Sequence, residues 1–363
     1  MKPNLTAIEN RNGFRFDTWT RWSSLTLLLG TVGLVIYGLA LGDTFVGPNL
    51  HPPSANTDAG LFRDIISDVQ DGAGFYSASV AEMRSRGMPL QPFVTIREPA
   101  LAYVSAAVGG VRVMSAVLIA LATIISGWMI LKLEAIAPNR WAWWASSVLF
   151  ALEMAALTSP SLVVMHEIWA AFFMLLSLLC IQFRHFLPSV LFGLCAVLMR
   201  ELALPFLLVM AVFAWREKKA HEALAWVGAI VTFVALFIVH ATLVLSLTNA
   251  GDLKSPPWLR VSGWGFVLDT VRETSFLSIA PPLWTAILVP LALLGWLSRT
   301  GPLPDRVFAL LLLFFASFAV IGRPENVYWG LMYVAVLAPG LAFAPSAILG
   351  LVRRIARPLP SAG

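Results

Sequence analysis

Long apolar runs separated by short polar segments dominate this sequence and restrict the chain to a membrane architecture. Nine such runs are present: Trp22–Leu41 and residues 112–132, 141–158, 163–182, 187–215, 223–246, 283–298, 307–322 and 331–350. A helix of about 20 apolar residues spans the hydrocarbon core of a bilayer. Hydrophobic residues make up 58% of the chain and charged residues only 12%, about half the charged share of a soluble domain. The sequence therefore predicts an all-α polytopic membrane protein.

The fifth run, residues 187–215, has an unusual length. Its 29 residues would form about 43 Å of helix, too long for one ~30 Å crossing and too short for two. A hairpin of two half-helices that turns at Arg200-Glu201 leaves 15 of the 25 Lys and Arg residues on the inner side, whereas a single crossing leaves 11. Because inner loops are enriched in basic residues, the hairpin is favoured. We therefore expect about ten transmembrane helices with both termini inside.

This count predicts one transmembrane domain over residues 1–363, with two long outer loops at residues 43–111 and 248–282. In the first loop, apolar residues recur every four positions and acids occupy the opposite side. The apolar set is Leu61, Ile65 and Val69, and the acidic set is Asp64, Asp68 and Asp71. The pattern predicts a short amphipathic helix on the outer membrane surface, and a second short helix is expected from Phe75 to about Arg86. In the second loop, Trp258, Trp264 and Phe266 are expected to be interfacial anchors.

Charge and cysteine content exclude two other classes of protein. The net charge of +5 comes from basic residues scattered between apolar runs, so no patch suited to nucleic acid exists. The only cysteines, Cys180 and Cys195, lie inside apolar runs and are expected to be small buried hydrophobic residues. No disulfide framework or zinc motif is present in the sequence.

The acids of the first outer loop are the first candidates for chemistry. Asp64 and Asp68 fall in the middle of the predicted helix and are expected on its solvated face. Asp58 and Asp71 flank this helix, where a side chain can turn toward a cleft. Each also has a structural alternative: Asp58 can cap the helix N-terminus, and Asp71, which precedes a glycine, can favour a turn. Tyr76 lies just beyond them.

Ionisable residues close to the apolar runs form the other candidates. Carboxylates inside a membrane segment are costly and are functional hypotheses by default, which draws attention to Glu153 and to His166-Glu167 at the start of span four. Arg97-Glu98 immediately precedes the return of the first loop to the membrane, where a structural salt bridge is the alternative interpretation.

Two arginines occupy turns that are predicted to face outside. Arg200-Glu201 lies between the half-helices, and Arg323 precedes Glu325 and Tyr328 in the last outer loop. The guanidinium fork matches the oxygens of a phosphate, so either arginine could bind one. An ion pair of Arg200 with Glu201 that only closes the turn is the alternative.

Taken together, these features resemble the GT-C class of integral-membrane glycosyltransferases, and residues 89–99 and 322–330 resemble segments of bacterial members that build cell-surface glycopolymers. Three segments carry the resemblance: residues 71–78, which contain Asp71, Tyr76 and Ala78; His166-Glu167 at the head of span four; and residues 193–200, which end in Arg200. The family often has adjacent carboxylates in its first loop, whereas this sequence contains no Asp-Asp, Asp-Glu or Glu-Asp pair. The topological resemblance covers the whole chain.

The resemblance implies an inverting transfer of a sugar from a polyprenyl-phosphate donor to a glycan or lipid acceptor of the cell envelope. The active site would face the periplasm from the bacterial inner membrane, among membrane lipids. A loop carboxylate, Asp58 or Asp71, would act as the general base. The substrate-binding residues would be Tyr76, Arg97, Glu98, His166, Glu167, Arg200, Glu201, Arg323, Glu325 and Tyr328. A divalent metal, Mg²⁺ or Mn²⁺, is the only cofactor that the resemblance would add.

A secondary transporter or a lipid-linked-sugar flippase is the alternative function. Such proteins also use broken helices and intramembrane charges. The depth of the ionisable residues separates the two classes: clustering at the outer face favours the enzyme, and spread through both halves of the membrane favours transport.

Overall fold

The computed structural model describes residues 14–42, 58–257 and 259–356. In these ranges the regular structure is helical, with no strand. The α-helices are α1 (Arg21–Leu41), α2 (Asp58–Gln70), α3 (Phe75–Ser85), α4 (Ala100–Ala107), α5 (Val111–Ile136), α6 (Arg140–Leu157), α7 (His166–Cys180), α8 (Leu187–Met199), α9 (Leu204–Arg216), α10 (Ala220–Leu247), α11 (Gly263–Thr274), α12 (Pro282–Leu297), α13 (Pro302–Ile321), α14 (Val334–Leu337) and α15 (Pro339–Ala356). The predicted all-α class is confirmed.

Each of the predicted apolar runs overlaps with at least one of these helices. Five helical stretches are long and apolar enough to cross a membrane: α1, α5, α10, α13 and the stretch Val334–Ala356. The helices α7, α8 and α12 are apolar but shorter. Membrane character is therefore supported, while the count of ten crossings remains a prediction.

The predicted hairpin at Arg200-Glu201 is present. Helix α8 ends at Met199, Arg200 is extended (φ −155°, ψ 116°), and a short 3-10 turn, Glu201–Ala203, leads into α9. A proline in the first turn of α9 suits that position, because the first helical N–H groups have no partner inside the helix. The turn therefore places a guanidinium and a carboxylate at the ends of two short helices.

Helix α2 differs from its prediction in what covers its apolar side. Leu61, Phe62, Ile65 and Ile66 are buried in the protein core, and α2 packs on α3 and α4. The expectation that this side lies on the membrane surface is therefore wrong, because a helical pattern shows which face is apolar but not which partner covers it. The second helix, expected from Phe75 to about Arg86, is confirmed at Phe75–Ser85.

The second predicted loop contains the amphipathic helix α11, which was not among the elements predicted from the sequence. Phe266 is only 5% exposed and meets the Trp329 ring edge to face at 6.3 Å between centroids. It also fills the space beside Gly322, where a Cβ would lie 2.0 Å from the Phe266 ring. Phe266 is therefore a core residue and not an interfacial anchor. Trp264 packs on Phe315, and Trp258 lies outside the described residues.

Both predicted outer loops lie together at one end of the helix bundle. The backbone N–H of Leu90 donates to the Leu253 carbonyl at 3.0 Å, and that of Ser255 donates to the Gln91 carbonyl at 2.6 Å. Arg84 makes two hydrogen bonds of 2.8 and 2.9 Å to the Asp252 carboxylate. We call this end of the bundle, with α2, α3, α4 and residues 249–262, the loop face.

The ten-span topology predicts that the loop face and the α9–α10 turn lie on opposite sides of the membrane. In a background with Cys180 and Cys195 replaced by alanine, Lys254→Cys should react with an impermeant maleimide from one side and Arg216→Cys from the other, because a membrane-spanning helix, α10, would separate them. Labelling of whole cells and of inverted vesicles measures this. Reaction of both positions from the same side would rule the topology out.

Candidate functional site

Arg200 is the centre of a buried charge cluster at the loop face. Its side chain is fully buried, and its Nε donates a hydrogen bond of 2.6 Å to Glu167 Oε1, while Nη1 donates to Glu201. Glu167, in the first turn of α7, is also fully buried. The ion pair with Glu201 that was the structural alternative therefore exists, but a carboxylate from a second helix shares the same guanidinium.

Arg97 and Tyr328 extend this cluster from two other segments. Arg97 Nη2 donates to the Tyr328 hydroxyl at 3.1 Å, and Nη1 donates to the Val94 carbonyl at 3.3 Å. Burial raises the pKa of Tyr328 to about 12; Arg97 opposes this, and the carboxylates of Asp58 and Glu167 add to it. Asp58, at the start of α2, thus belongs to the same electrostatic environment.

Two carboxyl groups, those of Glu98 and Glu201, lie against each other beside the arginines. Burial first, and then the negative charge of Glu201, raises the pKa of Glu98 well above its ordinary value. Among the described residues, neither oxygen of Glu98 has a donor partner. Two ionised carboxylates cannot hydrogen-bond to each other, so a proton must lie between them for a bond to form. The pair can therefore hold a proton.

A narrow, largely apolar cavity adjoins the cluster beneath α2 and α3. Its polar wall is formed by Arg97, His166, Ser79 and Thr95. The side-chain oxygens of Ser79 and Thr95 and the Nδ1 atom of His166 have no hydrogen-bond partner in the part of the chain that the structure describes. The His166 ring also packs on Phe62 of α2. The cavity thus offers apolar surface together with free polar atoms and a cation.

His240 is a site residue that was not predicted from the sequence. It lies in the long apolar helix α10, and its Nε2 is 3.1 Å from the Ile96 carbonyl while its Nδ1 is 3.2 Å from the Tyr76 hydroxyl. It therefore fixes the backbone just before Arg97-Glu98 and links it to α3. The signal present in the sequence was a single histidine inside an apolar run, which is an intramembrane ionisable residue.

Three candidate residues lie apart from these contacts. Asp71 is exposed just after the last residue of α2. Arg323 donates to the Ser255 hydroxyl at 3.0 Å and to the Pro256 carbonyl at 3.2 Å, and so holds residues 255–256 on the loop face. Glu325, which pairs with Arg323, is mostly exposed. Tyr76 does not contact the arginines directly; its hydroxyl contacts His240, which in turn contacts the Ile96 carbonyl.

The described part of the chain does not offer a metal site of the ordinary kind. Within residues 14–42, 58–257 and 259–356, no three His, Cys, Asp or Glu side chains come together in a group that could hold an ion. The Glu167 and Glu201 carboxylates are already engaged by Arg200. We therefore derive no chemical step through Mg²⁺ or Mn²⁺.

The raised pKa of Glu98 predicts a pH-dependent stability. In the folded protein Glu98 keeps a proton that the unfolded chain releases near pH 4.5. The free energy of unfolding should therefore fall as the pH rises from about 4.5 toward the pKa of Glu98 in the folded protein. Glu98→Gln removes this titration. Melting temperatures between pH 4.5 and 8.5 should therefore decline less in Glu98→Gln than in the wild type, while the exposed control Glu325→Gln should follow the wild type. Parallel curves for all three proteins would contradict the assignment.

Comparison with known proteins gives no identification. No protein-family model, no curated protein and no solved structure matches this chain.

Proposed function

We propose that the chain is an inverting glycosyltransferase of the GT-C type, which moves a sugar from a polyprenyl-phosphate donor to a glycan or lipid acceptor of the cell envelope. The observation that carries this proposal is the convergence of two arginines and four carboxyl groups at the loop face, next to an apolar cavity. The loop face would then be the periplasmic side of a bacterial inner membrane. The two arginines are Arg97 and Arg200, and the four carboxyl groups are those of Asp58, Glu98, Glu167 and Glu201.

Arg97 is the better placed of the two arginines to bind the donor phosphate. Its described hydrogen-bond partners are a tyrosine hydroxyl and a backbone carbonyl, and it lines the cavity. Arg200 is compensated by two carboxylates. A guanidinium without its own carboxylate partner can match phosphate oxygens with parallel donors. We therefore assign Arg97 to the phosphate and assign Arg200 to positioning Glu167 and Glu201.

Asp58 is our candidate for the general base. It starts α2, which covers the cavity, and its side chain is partly exposed, so an acceptor hydroxyl can reach it. In the proposed step, Asp58 takes the proton of that hydroxyl as its oxygen bonds to the anomeric carbon. The bond from this carbon to the phosphate oxygen breaks, and the phosphate leaves with the electron pair. Arg97 stabilises the negative charge that develops on the leaving phosphate.

The positions of the charged side chains favour the enzyme over the transporter or flippase. In the described apolar helices, the Asp, Glu, Lys and Arg residues lie within about two turns of a helix end. The cluster around Arg200 joins helix ends at one face only. A transport path would instead need polar groups through the middle of the bundle.

A transfer assay with the purified protein in lipid nanodiscs tests the proposal. The donors are short-chain polyprenyl-phosphate sugars, and the readout is the release of polyprenyl phosphate. Arg97→Lys should lower the turnover about tenfold or more, because an ammonium group cannot supply two parallel donors. The control Arg84→Lys, which changes an exposed arginine of the loop face, should keep wild-type turnover. Movement of intact donor across proteoliposomes, with no cleavage, would support the flippase instead.

A further inference from the structure

A second cavity borders α6. It is narrow and partly open, and its walls come from α6, α11, α12, α14, α15 and the segment that joins α11 to α12. Most of its lining is aliphatic, including Val271, Leu288 and Leu341, and none of its lining residues belongs to the Arg200 cluster. The cavity therefore has a composition suited to a hydrocarbon chain.

One acidic side chain, Glu153, breaks this apolar lining. Glu153 is only 1% exposed and lies one turn before the end of α6 at the loop face. Its Oε1 accepts a hydrogen bond of 3.3 Å from the Phe276 N–H, at the start of the 3-10 helix Phe276–Ile279. Among the described residues, its Oε2 has no hydrogen-bond partner. One oxygen thus has a structural role and the other is free beside the cavity.

The free oxygen restricts the chemistry of an occupant. An unpaired buried polar atom costs free energy, which a bound hydrogen-bonding group would recover. A hydroxyl suits this position in either protonation state of Glu153, because it can donate to a carboxylate or accept from a carboxylic acid. A second charge would have to leave water for an aliphatic cavity, which is costly. An uncharged alcohol on an aliphatic chain therefore fits best.

We propose that this cavity binds a neutral lipid alcohol, with its hydroxyl on Glu153 and its chain among the aliphatic residues. The site would be separate from the proposed glycosyl-transfer site. An acylglycerol and an isoprenoid alcohol share this chemistry, and binding measurements with both kinds of lipid distinguish them.

Two matched probe pairs measure the contribution of the hydroxyl. The purified full-length protein is titrated with 1,2-dioctanoylglycerol and its 3-acetate, and with farnesol and its methyl ether, and bound lipid is counted by native mass spectrometry. We expect the free alcohol of at least one pair to bind about fivefold more tightly than its capped form. A preference in the first pair indicates an acylglycerol, and a preference in the second indicates an isoprenoid.

Three variants locate the binding. Glu153→Gln keeps an acceptor for Phe276 and a polar group for the alcohol, so it should keep the preference. Glu153→Met has a similar volume but should lose it, as should Ala338→Leu, which enlarges a side chain that lines the cavity. Melting temperatures verify folding, and if Ala338→Leu does not fold, Glu153→Met decides. Equal binding of free and capped lipids to the wild type, or a preference that survives Glu153→Met, would overturn the proposal.

Discussion

Arg200→Met should destabilise the folded protein strongly. The substitution leaves the fully buried Glu167 without its arginine, and an uncompensated buried charge typically costs about 3–5 kcal/mol. Transfer activity should be lost with the fold of the site. Thermal melting and the transfer assay in nanodiscs measure the two effects.

Arg306→Met is the matched control for Arg200→Met. Arg306 is equally buried, and its Nη2 donates to Glu217 at 2.8 Å, but 30% of the Glu217 side chain is exposed to solvent. Because this acid can be hydrated when its partner is removed, the control should lose clearly less stability. Glu167→Gln added to Arg200→Met should restore part of the stability by removing the unpaired charge. No difference between the two single variants would show that Glu167 is not held as an ion.

Asp58→Asn should keep the fold and lose about 10²-fold or more in turnover. Asparagine retains the ability to accept hydrogen bonds at a helix start but cannot take a proton at neutral pH. The measurement is the release of polyprenyl phosphate at saturating donor, together with the melting temperature.

Asp71→Asn is the control at the other end of the same helix. Asp71 is exposed and is not among the groups that affect Tyr328, so its replacement should leave turnover close to wild type. If Asp58→Asn also kept the wild-type rate, the base would have to be sought elsewhere, beginning with the Glu98 and Glu201 pair.

The local features of this fold could be predicted because each has a local cause. The apolar runs determine the helices. The hairpin at Arg200 needed more than the length of residues 187–215, because the distribution of Lys and Arg along the whole chain decided between one crossing and two. Asp58 begins its helix and Glu167 lies in the first turn of its own, as the sequence pattern indicates. The helix starts need only neighbouring residues.

The pairing of distant segments could not be predicted in the same way. Arg200 and Arg323 are both arginines at helix ends, yet Arg200 binds Glu167 whereas Arg323 binds residues 255–256. The packing of Phe266 against Trp329 joins positions more than sixty residues apart. Nothing local distinguishes these partners, because they depend on how the helices are arranged.

Helices α12 and α15 touch backbone to backbone near the C-terminal end of α12. A Cβ at Gly295 would lie 1.9 Å from the Gly340 carbonyl oxygen, and one at Gly340 would lie 2.2 Å from the Ala292 carbonyl oxygen. Such contacts between small residues leave the two helices little freedom to slide past each other. At α2, by contrast, the contacts with the core are made by the side chains of Leu61, Phe62, Ile65 and Ile66. Amide hydrogens of α2, at the loop face, should therefore exchange with solvent sooner than those of α12.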